Sequence, residues 1–142
     1  MAKYVKPTLD TKFHIDFGWW QKHGQNLRSH LQSQACPQAL EQLAGEEAGQ
    51  TFDWIDPDTG EVFQINILWY LVHKSCSQRA DFIDQFTPLT TAIFRIFLTN
   101  NNTPLTPVEI YQQIHKKTPE VILRTIGGHT VYQGIRPVTT PV

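Results

Sequence analysis

The sequence predicts an α+β fold, and three observations support that prediction. Residues 12–17 alternate polar and apolar side chains, which is the period-two pattern of a strand with one buried face. Two further β-type segments flank the turn sequence at residues 56–60, which predicts an antiparallel hairpin. The last third of the chain carries three helix patterns separated by Pro, Thr and Gly. We expect a small antiparallel sheet with helices, followed by a three-helix unit and a short C-terminal β-hairpin.

Length and composition narrow the class of protein. The chain has 142 residues, of which 40% are hydrophobic, and it contains four Trp, four Tyr and eight Phe. This is enough apolar material for one domain or two very small ones, so global disorder is excluded. No run of about 18 apolar residues is present, which argues against a transmembrane helix. The N-terminus does not resemble a secretion signal, and two cysteines do not make a disulfide framework, so we expect a reducing, cytoplasmic setting.

The net charge of −1 conceals an uneven distribution. Residues 1–40 carry five Lys/Arg and two acids, which gives +3. Residues 41–84 carry two Lys/Arg and nine acids, or −7, and residues 85–142 carry five and two, or +3. A uniformly basic nucleic-acid coat is therefore excluded, whereas a basic C-terminal segment beside an acidic middle remains compatible with DNA.

The first forty residues predict a strand and two helices. A helix follows the strand over about 19–35, because apolar residues recur at helical spacing. Pro37 ends this helix and can begin a second, shorter one. The predicted inward residues are Phe13, Ile15 and Phe17 in the strand and Trp20, Leu27, Leu31 and Ala35 in the first helix, and the second helix runs through Leu40 and Leu43.

The middle of the chain predicts a loop, a hairpin and a helix. Gly45 to Gln50 is the loop, and the hairpin pairs residues 51–55 with residues 61–65. Asn66 is a suitable N-cap for a helix over about 66–78. A connector over 79–87 follows, and we expect it to be anchored by Phe82, Ile83 and Phe86. These elements divide the chain into a segment of about 1–80 and a second segment of about 86–138, and a single core shared by both segments stays open as an alternative.

The last third contains the clearest local signals. A helix over about 88–99 has one apolar face and ends before Asn100-Asn101-Asn102. Thr106-Pro107-x-Glu109 combines an N-cap, a first-turn Pro and a capping-box Glu, which predicts a helix to about His115. Thr118-Pro119-Glu120 repeats the start signal, so a third helix runs to about Ile126 and stops at Gly127-Gly128. Residues 129–132 and 135–138 predict a hairpin around Gln133-Gly134.

This ordered set resembles the winged helix-turn-helix domain of transcription regulators. The resemblance covers about residues 86–138 and rests on the paired start motifs with buried Ile110, Ile114, Ile122 and Ile126. It implies that the helix at 118–126 enters the major groove while the preceding helix braces it. The leading function is then a small DNA-binding protein of the cytoplasm, a transcriptional regulator whose partner is double-stranded DNA.

Specific residue types support that interpretation. Arg124 can pair with guanine, and Thr125 can reach a phosphate or a thymine methyl group. Lys116 and Lys117 lie in the turn between the helices, where they are placed for phosphates. The full predicted DNA-binding set is Lys116, Lys117, Thr118, Val121, Arg124, Thr125 and Arg136.

An alternative function stays open, in which the winged helix is a docking module of a non-enzymatic interaction subunit. An open basic face around residues 118–126 favours DNA, and an apolar face favours docking. The N-terminal half is expected to hold a protein partner or a second copy through exposed members of its aromatic pairs. The candidate contacts are Trp19, Trp69 and Tyr70.

Other chemistry receives little support from the sequence. His73-x-x-Cys76 with His23 and His30 is a weak zinc pattern, and the acids at 53–61 lack the spacing of a calcium loop. No phosphate-binding glycine loop, nucleophile elbow or zinc-protease motif occurs. We therefore expect no enzyme activity, no cofactor, no metal site and no membrane partner.

Overall fold

The computed structural model describes residues 6–23, 26–44, 50–56 and 59–138. Within this part of the chain lie seven helices and two small antiparallel sheets, which confirms the α+β class. The described residues form two compact units, the first from 6–16 with 85–138 and the second from within 17–84. In chain order the elements are β1 (Phe13–Ile15), α1 (Phe17–Lys22), α2 (Leu27–Gln34), α3 (Pro37–Ala44), β2 (Thr51–Ile55), β3 (Val62–Asn66), α4 (Ile67–Ser75), α5 (Leu89–Thr99), α6 (Pro107–Ile114), α7 (Pro119–Ile126) and β4 (Ile135–Pro137).

The sheet of the first unit joins the two ends of the chain. β1 pairs with β4 in antiparallel fashion, with Ile15 opposite Ile135. On its other edge, Phe13 forms an isolated bridge with Leu105, through N···O distances of 2.7 and 3.0 Å. Phe13 and Ile15 are fully buried, as their alternation with polar residues predicts. The strand at 12–17 therefore belongs with the C-terminal helices rather than with the segment 1–80.

A buried asparagine completes the hydrogen bonding of β1. Asn102, which is 2% exposed, accepts a bond from the Ile15 N–H at 2.8 Å and donates one to the Ile15 carbonyl at 2.9 Å. Its side-chain amide thus acts as a strand partner where no backbone is available. Asn101 and Asn102 both have positive φ angles, a conformation that Asn tolerates better than most residues. The run of asparagines that ends α5 therefore also anchors the N-terminal strand.

α6 and α7 begin as their N-cap residues predict, whereas the left-handed glycine cap expected at the end of α7 is wrong, because Gly127 has a φ of −95°. Thr106 and Glu109 form both bonds of a capping box at the start of α6. Thr118 accepts a bond from the Val121 N–H at the start of α7, and Pro119 holds the first helical position. α6 packs on both α5 and α7, and Ile110 and Ile122 are fully buried.

The predicted C-terminal hairpin is only half formed. Ile135 N–H donates to the Tyr132 carbonyl, and Gln133 and Gly134 have positive φ angles, so the turn forms where expected. Residues 129–132, however, contain bends instead of a strand. The hydrogen-bonding edge of β4 pairs with β1, whose two apolar side chains gain burial in the core. The expectation of a wing hairpin within 129–138 was therefore wrong.

The second unit contains the predicted hairpin of β2 and β3. Trp54 lies opposite Phe63, and Phe52 lies opposite Ile65. Phe63 and Ile65 are buried and Gln64 between them is exposed, so β3 has one inward face. Asn66 then caps α4 by accepting a bond from the Leu68 N–H at 2.9 Å. The two middle residues of the turn, 57 and 58, and the loop residues 45–49 lie outside the described part.

Two predictions for residues 12–35 were wrong. Phe17 is not the last strand residue but the first residue of α1, although it is buried as expected. The helix predicted over 19–35 is divided into α1 and α2, because Asn26 acts as an N-cap and accepts a bond from the Ser29 N–H. An N-cap has non-helical backbone angles and so interrupts a continuous helix.

Aromatic side chains from several elements meet around Phe17 in the second unit. The ring centroid of Phe17 lies 5.0 Å from that of Trp54 and 5.2 Å from that of Trp69, both in edge-to-face arrangements. The Phe63 ring lies at 5.9 Å. Such pairs contribute stability beyond the apolar area that they bury. This aromatic cluster fastens α1 to the hairpin and to α4.

The two cysteines form a disulfide, which corrects the expectation of free thiols. Cys36 follows α2, and Cys76 caps the end of α4, with their Cα atoms 5.6 Å apart. The bond joins residues 40 positions apart in the chain. By the chain-entropy model, closing a loop of this size stabilises the folded state by about 4 kcal/mol. The cysteines therefore give no support to a reducing setting.

Only some of the residues predicted to anchor the connector after α4, over 79–87, are buried. Phe82 is buried as expected, at 5% exposure. Phe86 is 81% exposed, so its expected role as a buried anchor is wrong. The next residue, Thr87, is buried in its place.

We expect Asn102→Ala to lower the free energy of unfolding of the first unit by about 2–4 kcal/mol, because the N–H and carbonyl of buried Ile15 lose their partners. The matched control is Asn100→Ala. Asn100 makes the same two bonds to the backbone of Thr103, but at an exposed site where water replaces them, so its effect should stay below about 1 kcal/mol. Urea unfolding followed by circular dichroism measures both. Equal effects would contradict the anchoring role of Asn102.

We expect reduction of the disulfide to destabilise the second unit by about 2–4 kcal/mol, because the unfolded chain regains loop entropy. Tryptophan fluorescence reports this unit selectively, since all four tryptophans lie within residues 17–84. The control is a Cys36→Ser, Cys76→Ser double variant, whose unfolding should not respond to reductant. Identical unfolding midpoints with and without reductant in the natural chain would contradict the prediction.

Candidate functional site

Four residues, 115–118, connect α6 to α7. His115 ends α6 in a left-handed conformation with φ 52°, and its N–H donates to the Tyr111 carbonyl. Lys117 also has a positive φ, of 59°, which is an uncommon conformation for a residue with a Cβ. Thr118 then returns to extended angles and caps α7. The two helices and the short turn expected from the start motifs are present.

α7 is strongly amphipathic. Ile122 and Ile126 are buried beneath the helix, four residues apart as predicted. Glu120 and Arg124 are exposed on the opposite side, also four residues apart. No large hydrophobic residue of α7 is exposed in the described structure. The outward surface of this helix is therefore polar and carries one cation and one anion.

The predicted DNA-binding residues differ in how far they reach solvent. Four of them are exposed and three are half-buried. The exposed residues are Lys117, Thr118, Arg124 and Arg136, and the half-buried residues are Lys116, Val121 and Thr125.

Two of these residues already use their hydroxyl groups within α7. The Thr118 oxygen accepts a bond from the Val121 N–H at 3.2 Å. The Thr125 hydroxyl donates to the Val121 carbonyl at 2.8 Å. Thr125 therefore has its hydroxyl proton committed and keeps its methyl group and oxygen lone pairs for other contacts.

Arg136 is held by an acid that the sequence did not indicate. Its Nη1 lies 3.4 Å from Oδ2 of Asp16, and both side chains are partly exposed. β4 and β1 pair in a register that brings residue 136 close to the end of β1. The two residues are 120 positions apart in the sequence, so only the β1–β4 pairing could reveal the contact. The carboxylate offsets the charge of Arg136 at this surface.

The described residues of the first unit keep a positive balance. Residues 85–138 contain five Lys/Arg and two acids, whereas residues 6–16 contain two of each, so the net charge is +3. Three of the five cations in 85–138 are Lys116, Lys117 and Arg124, in or next to α7. The charge asymmetry noted in the sequence is thus concentrated near the helix-turn-helix pair.

The three aromatic residues predicted to contact a partner differ in how far they are exposed to solvent. Trp69 is 1% exposed and packs against Phe17, so its expected role in partner binding is wrong. Tyr70 is 46% exposed, and Lys74 Nζ lies 5.9 Å from its ring centre. Trp19 is half-buried and stacks on His23, with ring centres 4.8 Å apart. One member of each aromatic pair is therefore buried, as the doublets suggested.

Metal ligation by the histidines and Cys76 receives no support from the geometry. Cys76 is joined to Cys36, so it has no thiolate to offer. In the described ranges, no group of three or more His, Cys, Asp or Glu residues is arranged to hold a metal ion.

Comparison with known proteins found no matching family model, no matching curated protein and no matching solved structure. Among the described residues, no helix combines the length and apolar character needed to cross a bilayer.

Proposed function

We propose that the protein is a small DNA-binding regulator that places α7 in the major groove. The observation that supports this most directly is the polar outer face of α7, with exposed Arg124 and with Lys116 and Lys117 in the preceding turn. A docking module would require an apolar face there, and the described structure exposes no large apolar residue of α7. DNA is therefore favoured over protein docking.

In this proposal the residues divide between base reading and phosphate contact. Arg124 lies in the last turn of α7 and reads a guanine edge through its guanidinium group. Lys117 contacts phosphates from the turn, together with the less exposed Lys116. The Thr125 methyl group meets a thymine methyl, because its hydroxyl proton is already donated within the helix.

Two carboxylates moderate this surface. Asp16 neutralises Arg136, so that arginine contributes less to phosphate attraction than the lysines. Glu120 is exposed one turn before Arg124 and repels phosphates approaching the start of α7. We expect these two acids to limit non-specific affinity.

A cytoplasmic location follows from the proposed function and not from the cysteines. DNA-binding regulators work in compartments where thiols are kept reduced. The Cys36–Cys76 bond would then have to persist against cellular reductants or form under oxidation.

We further propose that two copies act together. A helix-turn-helix protein gains specificity when a dimer reads two half-sites. In the second unit, α3 packs against α4, and each helix exposes an apolar or aromatic residue, Leu40 at 40% and Tyr70 at 46%. We assign the contact between copies to this pair of helices.

We expect the chain to bind random duplex DNA with an affinity that falls steeply with salt, because lysine–phosphate contacts release counterions. Lys116→Ala and Lys117→Ala should each weaken binding to every sequence and reduce the logarithmic salt slope by about 0.9. Arg124→Ala should instead weaken binding by about 1–3 kcal/mol to duplexes selected from a random pool. Fluorescence anisotropy across a salt series measures these effects.

The matched control for these DNA variants is Lys22→Ala, an exposed cation of the second unit, which should leave DNA affinity unchanged. Asp16→Asn should strengthen binding, since it releases Arg136. If the natural chain binds no duplex even at low salt, the DNA-binding proposal is wrong and the docking subunit takes its place.

We expect light scattering at micromolar concentration to give about twice the chain mass of 16.3 kDa. Tyr70→Arg should return the protein to the mass of one chain, because it places a charge in the proposed contact. Tyr132→Arg is the control, since Tyr132 is similarly exposed, at 41%, but belongs to the first unit. A natural chain that stays at 16.3 kDa would refute the dimer.

A further inference from the structure

The Cys36–Cys76 disulfide joins the beginning of α3 to the end of α4. Cys36 directly precedes Pro37, the first residue of α3, and its carbonyl accepts a bond from the Leu40 N–H at 3.2 Å. Cys76 follows α4, and its N–H donates to the Val72 carbonyl at 2.9 Å. The disulfide is therefore a covalent link between two helices that also pack against each other.

Apart from the disulfide, α3 is weakly held. Among residues 37–43, Ala39 and Leu43 are buried and the other five residues are exposed. The Ser75 hydroxyl donates to Gln42 Oε1 at 3.2 Å, but at an exposed site where water competes for the bond. A helix of eight residues is not stable in water by itself. The position of α3 therefore depends on its covalent attachment to α4.

α4 and the hairpin are held by contacts that do not involve the disulfide. Asn66 caps the start of α4, and the ring of Trp69 packs against that of Phe17. Phe17 also contacts Trp54 and Phe63 of the hairpin. Four side chains of α4 are buried, namely Leu68, Trp69, Leu71 and Val72. Opening the disulfide leaves all of these contacts in place.

The two cysteines also differ in their access to solvent. Cys76 is 0% exposed, whereas Cys36 is half-buried, so we place the attack of a reductant at Cys36. The attacking thiolate forms a bond to Cys36 Sγ while the S–S bond breaks, and Cys76 Sγ leaves with the electron pair and then takes up a proton. The Cys36 N–H lies 3.1 Å from Cys76 Sγ, where it stabilises the leaving thiolate. The second thiol of a dithiol reductant then displaces Cys36, so two electrons pass to the protein and the reductant becomes a disulfide.

We propose that this disulfide is a redox switch for α3. In the oxidised chain the bond holds α3 on α4. In the reduced chain α3 separates from α4, while α4 and the hairpin stay folded. The bond connects a weakly held helix to a firmly held one, so its loss acts first on the weakly held helix.

The consequence for the contact between copies rests on the proposed function. That contact contains Leu40 on α3 and Tyr70 on α4, both of which are exposed in one chain. Release of α3 moves Leu40 away from Tyr70 and divides the surface between the two helices. We expect the oxidised chain to pair with a second copy and the reduced chain to remain single.

The experiment compares the Cα chemical shifts of the full-length, ¹³C,¹⁵N-labelled protein before and after reduction with dithiothreitol. We expect the shifts of residues 37–44 to move from helical to random-coil values, because a free segment of this length does not stay helical. The shifts of residues 67–75 should remain helical. Glutathione disulfide should restore the original spectrum, since it accepts the two electrons and leaves as two glutathione molecules. This comparison uses the natural chain and needs no variant.

Two variants separate the switch from its consequence. Cys36→Ser removes the bond and should give the random-coil shifts of residues 37–44 with or without reductant. Tyr70→Arg keeps the bond, so α3 should still respond to dithiothreitol even though this variant is expected to be single in both states. Light scattering at micromolar concentration measures the mass of the natural chain and of each variant in both states.

Two outcomes overturn the inference. The first is a chain whose residues 37–44 keep their helical shifts after a thiol assay has confirmed reduction. The second is loss of the helical shifts of α4 together with those of α3, which would make the bond a support for the whole unit. An oxidised chain that stays single or binds no DNA loses the proposed function but keeps the switch if α3 is released. A reduced chain that releases α3 and stays paired refutes the consequence for the contact between copies.

Discussion

The first unit depends on the pairing of the Asn102 side chain with the backbone of Ile15. Both residues are buried, and the two bonds span 87 positions of sequence. Without them, the inner strand would have unpaired polar groups in an apolar core, where each one is costly. Once β1 is held there, β4 and Leu105 pair along its two edges, and α5 packs against β1.

The pairing of β1 with β4 also explains why no hairpin forms after α7. β4 uses its pairing edge for β1, so residues 129–132 form no wing strand. Arg136 then lies within a sheet beside Asp16 and not at the tip of a projecting hairpin. Under the proposed function, the surface that remains for DNA is concentrated on α7 and the turn before it. A compact contact of this kind covers few base pairs, which is a physical reason for two copies to act together.

The second unit is stabilised by a different set of interactions. An aromatic cluster around Phe17 and a disulfide hold short helices against a two-stranded hairpin, which is marginal by itself. A cleft of about 210 Å³ lies between these elements. The first unit thus presents a polar helix beside a turn with two lysines, and the second unit contains a cleft between its helices and its hairpin.

Local chemistry in the sequence determined the caps, turns and helices. Thr106, Thr118 and Asn66 act on neighbours two or three residues away, and α6, α7 and α4 begin where these residues predicted. The outward position of Arg124 followed from the helical period. Only the tertiary structure decided which strand pairs with β4, that the two cysteines join, and that Trp69 is buried. Each of these three features depends on residues far apart in the chain. When several segments could pair with one strand edge or fill one core position, the apolar area that each would bury decides between them, and local sequence preference does not.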